Sequence, residues 1–268
     1  MKVQNKVIVV TGGGSGMGRE LTLNLLNKGA KVFAIDINEV TLQETVQLAG
    51  DKKINLATAV LNITDKAAVE ALPAKVIEKF GAVDGIINNA GIIQPFVRFK
   101  DLGMDAIERV LNVNLYGPIY MTKAFLPHLL TRPVAHIANT SSMGGYLPVP
   151  GQTIYGASKA AIKLLTEGLY AELLDTNVKV TVIYPGAIAT NITTNSGVSI
   201  PGQTQTAEQS KIKVLSADKA AEIIVNAIEN DSYSVFVGSD AKFMDLIRRL
   251  NPKMATKFIY NQMKSLLS

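Results

Sequence analysis

The 268 residues contain no cysteine and no tryptophan. Without a thiol there is no disulfide framework, no Cys-ligated zinc, no iron–sulfur cluster and no thiolate nucleophile. Two histidines, His128 and His136, are too few for a His-rich metal site, so no metal is expected. Aromatic residues make up 6%, sparse for a platform that stacks nucleic-acid bases. Charged residues are 18% and the net charge is +5, which gives no histone-like or basic-arm pattern. No nucleic-acid partner is expected. No apolar run approaches the roughly 20 residues of a membrane span. The four apolar residues at 7–10 fall short of a secretory core of about 7–15 residues. The expected location is the cytoplasm, where the sequons at Asn62, Asn139 and Asn191 carry no meaning.

What is present is hydrophobic, at 47%, enough for the core of one large domain. Short apolar runs, several of them rich in Val and Ile, occur at 6–10, 31–35, 55–61, 83–88, 135–140, 179–184 and 234–237. Apolar residues at consecutive positions suit strands buried on both faces of a parallel sheet. Between them, segments 18–28, 38–49, 65–80, 104–130, 153–175 and 217–229 carry apolar residues at helical spacing. This alternation predicts a doubly wound α/β domain.

The first predicted strand runs into Thr11-Gly12-Gly13-Gly14-Ser15-Gly16-Met17-Gly18 and then a helix. Backbone without side chains can approach a pyrophosphate, and the helix start offers free N–H groups and the positive end of its dipole. A Walker loop is excluded, because Arg19-Glu20 stand where Lys-Ser/Thr would be needed. Asp36 ends the second run, eighteen residues after Gly18. A carboxylate there accepts from ribose hydroxyls and repels a 2′-phosphate, which favours NAD over NADP. Farther along, Tyr155 and Lys159 share a helix face at i and i+4. Ser142 follows a predicted central strand, at the sheet end where such folds bind ligands.

In this order and spacing, the Gly-rich turn, Asn88-Asn89-Ala90-Gly91, Ser142, Tyr155-x-x-x-Lys159 and Pro185-Gly186 with Thr190 resemble the short-chain dehydrogenase/reductase family. The resemblance spans residues 6 to about 238. It implies a Rossmann-like seven-stranded parallel sheet with helices on both faces, and an NAD(P)-dependent oxidoreductase acting on CH–OH groups. It makes Tyr155 the catalytic acid/base, Lys159 its electrostatic partner on the nicotinamide ribose, Ser142 the hydrogen-bond donor to substrate oxygen, and Asn114 the holder of a water behind the lysine. Gly12, Ser15, Gly16, Met17, Gly18 and Asp36 are assigned to the dinucleotide. So are Asn62, Ile63, Asn89, Ala90 and Gly91, followed by Pro185, Gly186, Ile188 and Thr190. The family usually has Asp where this chain has Asn62, whose carbonyl oxygen is expected to accept from the adenine amino group. Positive charge on Lys159 and on the oxidised nicotinamide is expected to draw the Tyr155 pKa down toward neutrality.

The small-molecule alcohol or ketone is expected to be lipophilic, resembling a steroid, a retinoid or an acyl chain. Ile92, Ile93, Phe96, Val97, Phe99, Met143, Tyr146, Leu147, Val149, Ile188 and Ile192 flank the motifs and are apolar. The rival reading is a catalytically silent NAD(H)-binding sensor. Segments 104–130 and 153–175 are more apolar than one sheet-facing side needs, which predicts a homodimer or homotetramer. Residues 1–239 read as the dinucleotide-binding and catalytic domain, with a lid or poorly ordered stretch at 191–216. Residues 240–268 form a basic extension of that domain, with six basic residues against two acidic ones. Pro252 is expected to split this tail into two helical pieces. The tail reads as a cap on the pocket or an oligomer interface, as a solvated helix, or as a contact with an anionic membrane surface through Phe243, Leu246, Ile247 and Leu250.

Overall fold

The computed structural model describes residues 1–198 and 214–267. Seven strands form one parallel sheet: β1 (Val7–Thr11), β2 (Lys31–Asp36), β3 (Leu56–Val60), β4 (Gly85–Asn88), β5 (Ala135–Thr140), β6 (Val178–Pro185) and β7 (Ser234–Val237), in the order β3-β2-β1-β4-β5-β6-β7. Every residue of β1, β4 and β5 is buried, which is why β1 reads as an almost unbroken apolar run; the polar His136 and Asn139 of β5 are themselves buried. The helices are α1 (Gly16–Asn27), α2 (Glu39–Leu48), α3 (Lys66–Glu70), α4 (Leu72–Phe80), α5 (Met104–Leu111), α6 (Gly117–Leu129), α7 (Thr153–Glu172), α8 (Ile192–Asn195), α9 (Ala217–Glu229), α10 (Ser239–Leu250) and α11 (Pro252–Met263).

Strand alternation sends Ile8 and Val10 into one core with Leu21, Leu25, Leu42 and Ile224 from α1, α2 and α9. Val7 and Val9 enter the opposite core with Val69, Val76, Met121 and Phe125 from α3, α4 and α6. The architecture is therefore Rossmann-like, with helices on both faces. After β3 the chain returns to the other side of β1 to form β4. That reversal opens a crevice at the carboxyl ends of β1 and β4, the position where open α/β sheets take ligands.

Two predicted helices are interrupted. Segment 65–80 divides at Ala71, because Pro73 has no N–H to continue the ladder of α3. Segment 104–130 contains a π turn at Asn112–Tyr116 between α5 and α6. Pro118 cannot donate to the carbonyl of Asn114, so the ladder there shifts register. Of the stretch 191–216, the described part holds α8 and a bridge from Ile188 to Leu215; residues 199–213 lie outside the described residues. The tail divides at Asn251, whose side chain accepts from the Met254 N–H at 2.9 Å. No helix among the described residues is long and apolar enough to cross a membrane.

Candidate active site

The crevice holds a cleft of about 470 Å³. At its floor β1 turns into α1. Gly12 sits at φ +70°, and a Cβ on Gly18 would lie 2.0 Å from the Gly12 carbonyl oxygen, so neither position admits a side chain. Ser15 precedes α1 without capping it, which leaves the first N–H groups of that helix open to an anion. Thr11 is buried and its hydroxyl oxygen accepts from the N–H groups of Asn89 and Ala90, both at 2.9 Å, so the end of β4 is pinned beside the turn. The Asn89 Oδ1 is buried and has no partner among the described residues. Glycine cradle, open helix start and unpartnered amide oxygen together fit a dinucleotide.

Asp36 borders the same cleft. Its carboxylate accepts from the Gly14 N–H at 3.0 Å and from the Asn38 N–H at 3.2 Å. The nearby cation, Arg19, is engaged elsewhere: it donates to the Gly14 carbonyl at 2.6 and 2.9 Å and pairs with Glu44 at 2.5 Å. The Asn62 Oδ1 accepts from the Thr64 N–H at 3.0 Å and from its hydroxyl at 2.9 Å. In the protein alone, the oxygen expected to serve the adenine amino group is engaged within its own turn. Both of its acceptor positions are used locally, and the group left over is the amide NH2, a donor.

On the other side of the cleft, β5 and α7 bring the reactive groups together. Tyr155 lies in the first turn of α7 and Lys159 one turn on. Lys159 is 4% exposed; its ammonium donates to the Thr140 carbonyl at 2.9 Å and lies 5.9 Å from the centre of the Tyr155 ring. A Cβ on Gly91 would stand 3.1 Å from that ammonium, so the glycine makes room for it. Ser142 Oγ accepts from the Gly144 N–H at 3.0 Å, which leaves its own proton free to donate. Its neighbour Ser141 is buried and donates to the Lys159 carbonyl at 2.7 Å, a contact that ties β5 to α7. Burial raises the Tyr155 phenol above its usual pKa against a smaller downward pull from Ser142. Burial lowers Lys159 from 10.5 to about 8. The expected lowering of Tyr155 is thus absent from the protein alone, because desolvation of the phenol outweighs the stabilisation its neighbours offer.

Every residue assigned to the dinucleotide from the sequence, Gly12 through Thr190, lines this cleft, and Ser142, Tyr155 and Lys159 line it with them. Asn114 lies behind it, fully buried. Its Oδ1 accepts from the Ile92 N–H at 2.9 Å, and its Nδ2 donates to the Ile92 carbonyl at 2.8 Å and the Ser158 hydroxyl at 3.1 Å. Both amide protons are used within the protein, and one lone pair remains. Of the apolar residues expected around substrate, Ile92, Ile93, Ile188 and Ile192 line the cleft. Tyr146 and Leu147 do not: they are buried in a third core with Tyr184 and Met244, and Phe99 is 59% exposed. Met143 and Val149 pack against that same core, and neither they nor Phe96 and Val97 reach the cleft.

Three positioning residues escaped the sequence reading. Gln94 is fully buried, and its Oε1 accepts from the N–H groups of Ile154 at 2.7 Å and Tyr155 at 3.0 Å, capping the helix that carries the phenol. Asp240 accepts from the Ala187 N–H at 2.7 Å and lies against Gly186. Tyr146 donates to the Ala241 carbonyl at 2.6 Å, so the start of α10 holds both the Ser142 loop and the Pro185–Gly186 turn. The available signals were an isolated amide in the apolar stretch 92–97 and an acid in the first turn of a helix.

The sequence profile of the short chain dehydrogenases matches residues 6–199. A Mycobacterium tuberculosis protein named as an oxidoreductase, SadH, is 37% identical over 256 residues, covering 92% of this chain and 91% of its own length. The crystal structure of a short chain dehydrogenase/reductase from Burkholderia phymatum in complex with NAD superposes with a TM-score of 0.85 at 25% identity, over 95% of this chain and 96% of that one. A serine dehydrogenase complexed with NADP+ gives a TM-score of 0.76 at 28% identity, over 85% and 94%.

Proposed function

The chain belongs to the short-chain dehydrogenase/reductase family of oxidoreductases, and from that premise we propose that it transfers a hydride between NAD(H) and a lipophilic alcohol or ketone, with Tyr155 as general acid/base. The observation that carries this reading is the convergence of Tyr155, Ser142 and Lys159 on one wall of a cleft whose other wall is the glycine turn and Asp36. A bound dinucleotide supplies the hydride acceptor or donor and, when oxidised, a positive ring.

The protein's own groups divide the remaining work. Tyr155 takes the alcohol proton in oxidation and returns it to the carbonyl oxygen in reduction. Ser142 donates to that oxygen and fixes its angle as charge develops. Lys159 holds the ribose and supplies positive charge beside the phenol. Because burial keeps Tyr155 protonated, reduction has its acid ready near neutral pH, whereas oxidation gains its base as pH rises. Asp36 supports NAD, since a 2′-phosphate would meet a carboxylate while Arg19 is tied to Glu44. Lys159 and Asp36 are the charged residues lining the cleft, and the substrate side is Ile92, Ile93, Ile188 and Ile192. That lining favours a carbon-rich substrate over a phosphorylated one. Exposed Met104 on α5, Leu130 at the end of α6 and Leu164 on α7 support a homodimer or homotetramer.

The test is Tyr155→Phe, assayed with NAD against a panel of lipophilic and sugar alcohols by NADH absorbance. Turnover should fall about 10²–10⁴-fold while dinucleotide affinity holds. Turnover within about tenfold of the parent rejects the role of the phenol, and activity confined to sugars rejects the substrate class.

A further inference from the structure

Helix α10 is apolar on two sides. Ala241 and Met244 are buried, Met244 in the third core, and Ile247 packs against that core. On the other side Phe243, Leu246 and Leu250, three and four residues apart, form one stripe that is 57%, 56% and 77% exposed. Helix α11 repeats the pattern: Ala255 and Ile259 are buried, while Met254 and Phe258, four apart, face outward. Nothing among the described residues covers either stripe. Helical spacing sets Lys242 and Arg249 along the flank of the first stripe, and Lys253 and Lys257 along the flank of the second. The single acid between residues 241 and 264 is Asp245, which is 15% exposed and paired with Arg249 at 2.8 Å. The face therefore offers apolar side chains beside cations of which Lys242, Lys253 and Lys257 have no acid partner among the described residues.

We propose that this α10–α11 face docks on the surface of an anionic phospholipid bilayer. Phe243, Leu246, Leu250, Met254 and Phe258 enter the boundary between headgroups and acyl chains, and the flanking lysines and arginines meet lipid phosphates. Charge decides the occupant. A second copy related by a two-fold axis would set these cations against themselves, since such an interface joins one patch to its own image. A nucleic acid would satisfy the cations and leave the apolar stripes wet. An anionic bilayer satisfies both. The contact lies in the membrane plane and needs no spanning helix. It is independent of which substrate the cleft accepts.

Vesicle cosedimentation of the full chain tests this, with phosphatidylcholine vesicles containing phosphatidylglycerol compared with phosphatidylcholine alone. The chain should pellet with the anionic vesicles and be released by added salt. Leu246→Ser with Leu250→Ser, and separately Lys253→Glu with Lys257→Glu, should each weaken partitioning at least about tenfold. Circular dichroism and thermal unfolding should be unchanged, because all four side chains are exposed. Three outcomes overturn the proposal: no pelleting, equal pelleting on neutral and anionic vesicles, or variants that bind like the parent. Concentration-dependent self-association that the leucine variants abolish, without vesicle binding, assigns the face to a second copy and also overturns it.

Discussion

Replacing Lys159 by methionine separates what the site needs from what the fold prefers. Burial lowers the lysine from 10.5 to about 8. Below the lower value both the folded and the unfolded chain carry the ammonium, and the folded chain bears the full penalty of having desolvated it. Between the two values the unfolded chain holds a proton that the folded chain has released, so the stability of the parent rises with pH. At 1.36 kcal/mol per unit, the displacement amounts to about 3 kcal/mol. Lys159→Met removes that penalty and keeps the length of the side chain. It also leaves the Thr140 carbonyl without its 2.9 Å donor, a loss of about 1–3 kcal/mol that does not vary with pH. At neutral pH the two terms nearly offset, with the variant at or slightly above the stability of the parent. The difference then moves toward the parent by about 3 kcal/mol as pH climbs from 8 to 10.5. Urea unfolding of both proteins across that range measures it, with other titrations common to the two chains cancelling in the difference. A stability difference that stays flat with pH refutes the claim that the amine is buried at a thermodynamic penalty.

Other substitutions probe the partners of the cleft. Asp36→Ala should shrink the preference for NAD over NADP in kcat/KM by about tenfold or more, and an unchanged ratio would remove Asp36 from the ribose. Asp240→Ala frees the Ala187 N–H and should raise KM for the dinucleotide about tenfold with a smaller change in kcat. Asp240→Asn, which keeps an acceptor, should recover much of the loss, and equal behaviour of the two variants would count against the clamp. Gln94→Leu uncaps the catalytic helix and should lower kcat and shift its pH profile, whereas Gln94→Glu keeps an oxygen for the Ile154 and Tyr155 N–H groups and should stay near the parent.

The strands were legible because a doubly buried parallel sheet favours consecutive apolar residues, as in the Val-Ile-Val-Val of β1 and the Ile-Ile of β4, both buried at every residue. The glycine turn and the Tyr155–Lys159 pair were legible because their geometry is local: a turn of eight residues, and one helical turn. What was missed is non-local. The contact of Gln94 with Ile154 crosses sixty residues, and that of Asp240 with Ala187 crosses fifty-three. Neither leaves a periodicity to detect. The π turn at Asn112–Tyr116 was hidden because the apolar spacing of α5 and α6 continues through it. The local engagement of the Asn62 oxygen was also unread, since Thr64 two residues on meets it with both its N–H and its hydroxyl.

The directions of the two pKa changes were also beyond the sequence, and they bear on why the pair is built as it is. Burial opposes charge on Tyr155 and on Lys159 alike. The protein alone therefore leans toward a neutral phenol beside an ammonium that gives up its proton more easily than an exposed lysine does. In the proposed mechanism such a site holds no phenolate before the dinucleotide binds. In that mechanism, moving the proton off Tyr155 draws on Lys159 and on the positive charge of the oxidised dinucleotide, and Gly91, whose Cβ would crowd the amine, keeps open the space beside Lys159. Desolvation that looks unfavourable residue by residue thus ties the appearance of the base to occupancy of the cleft, since one arriving charge is felt more strongly in a dry pocket than it would be in water.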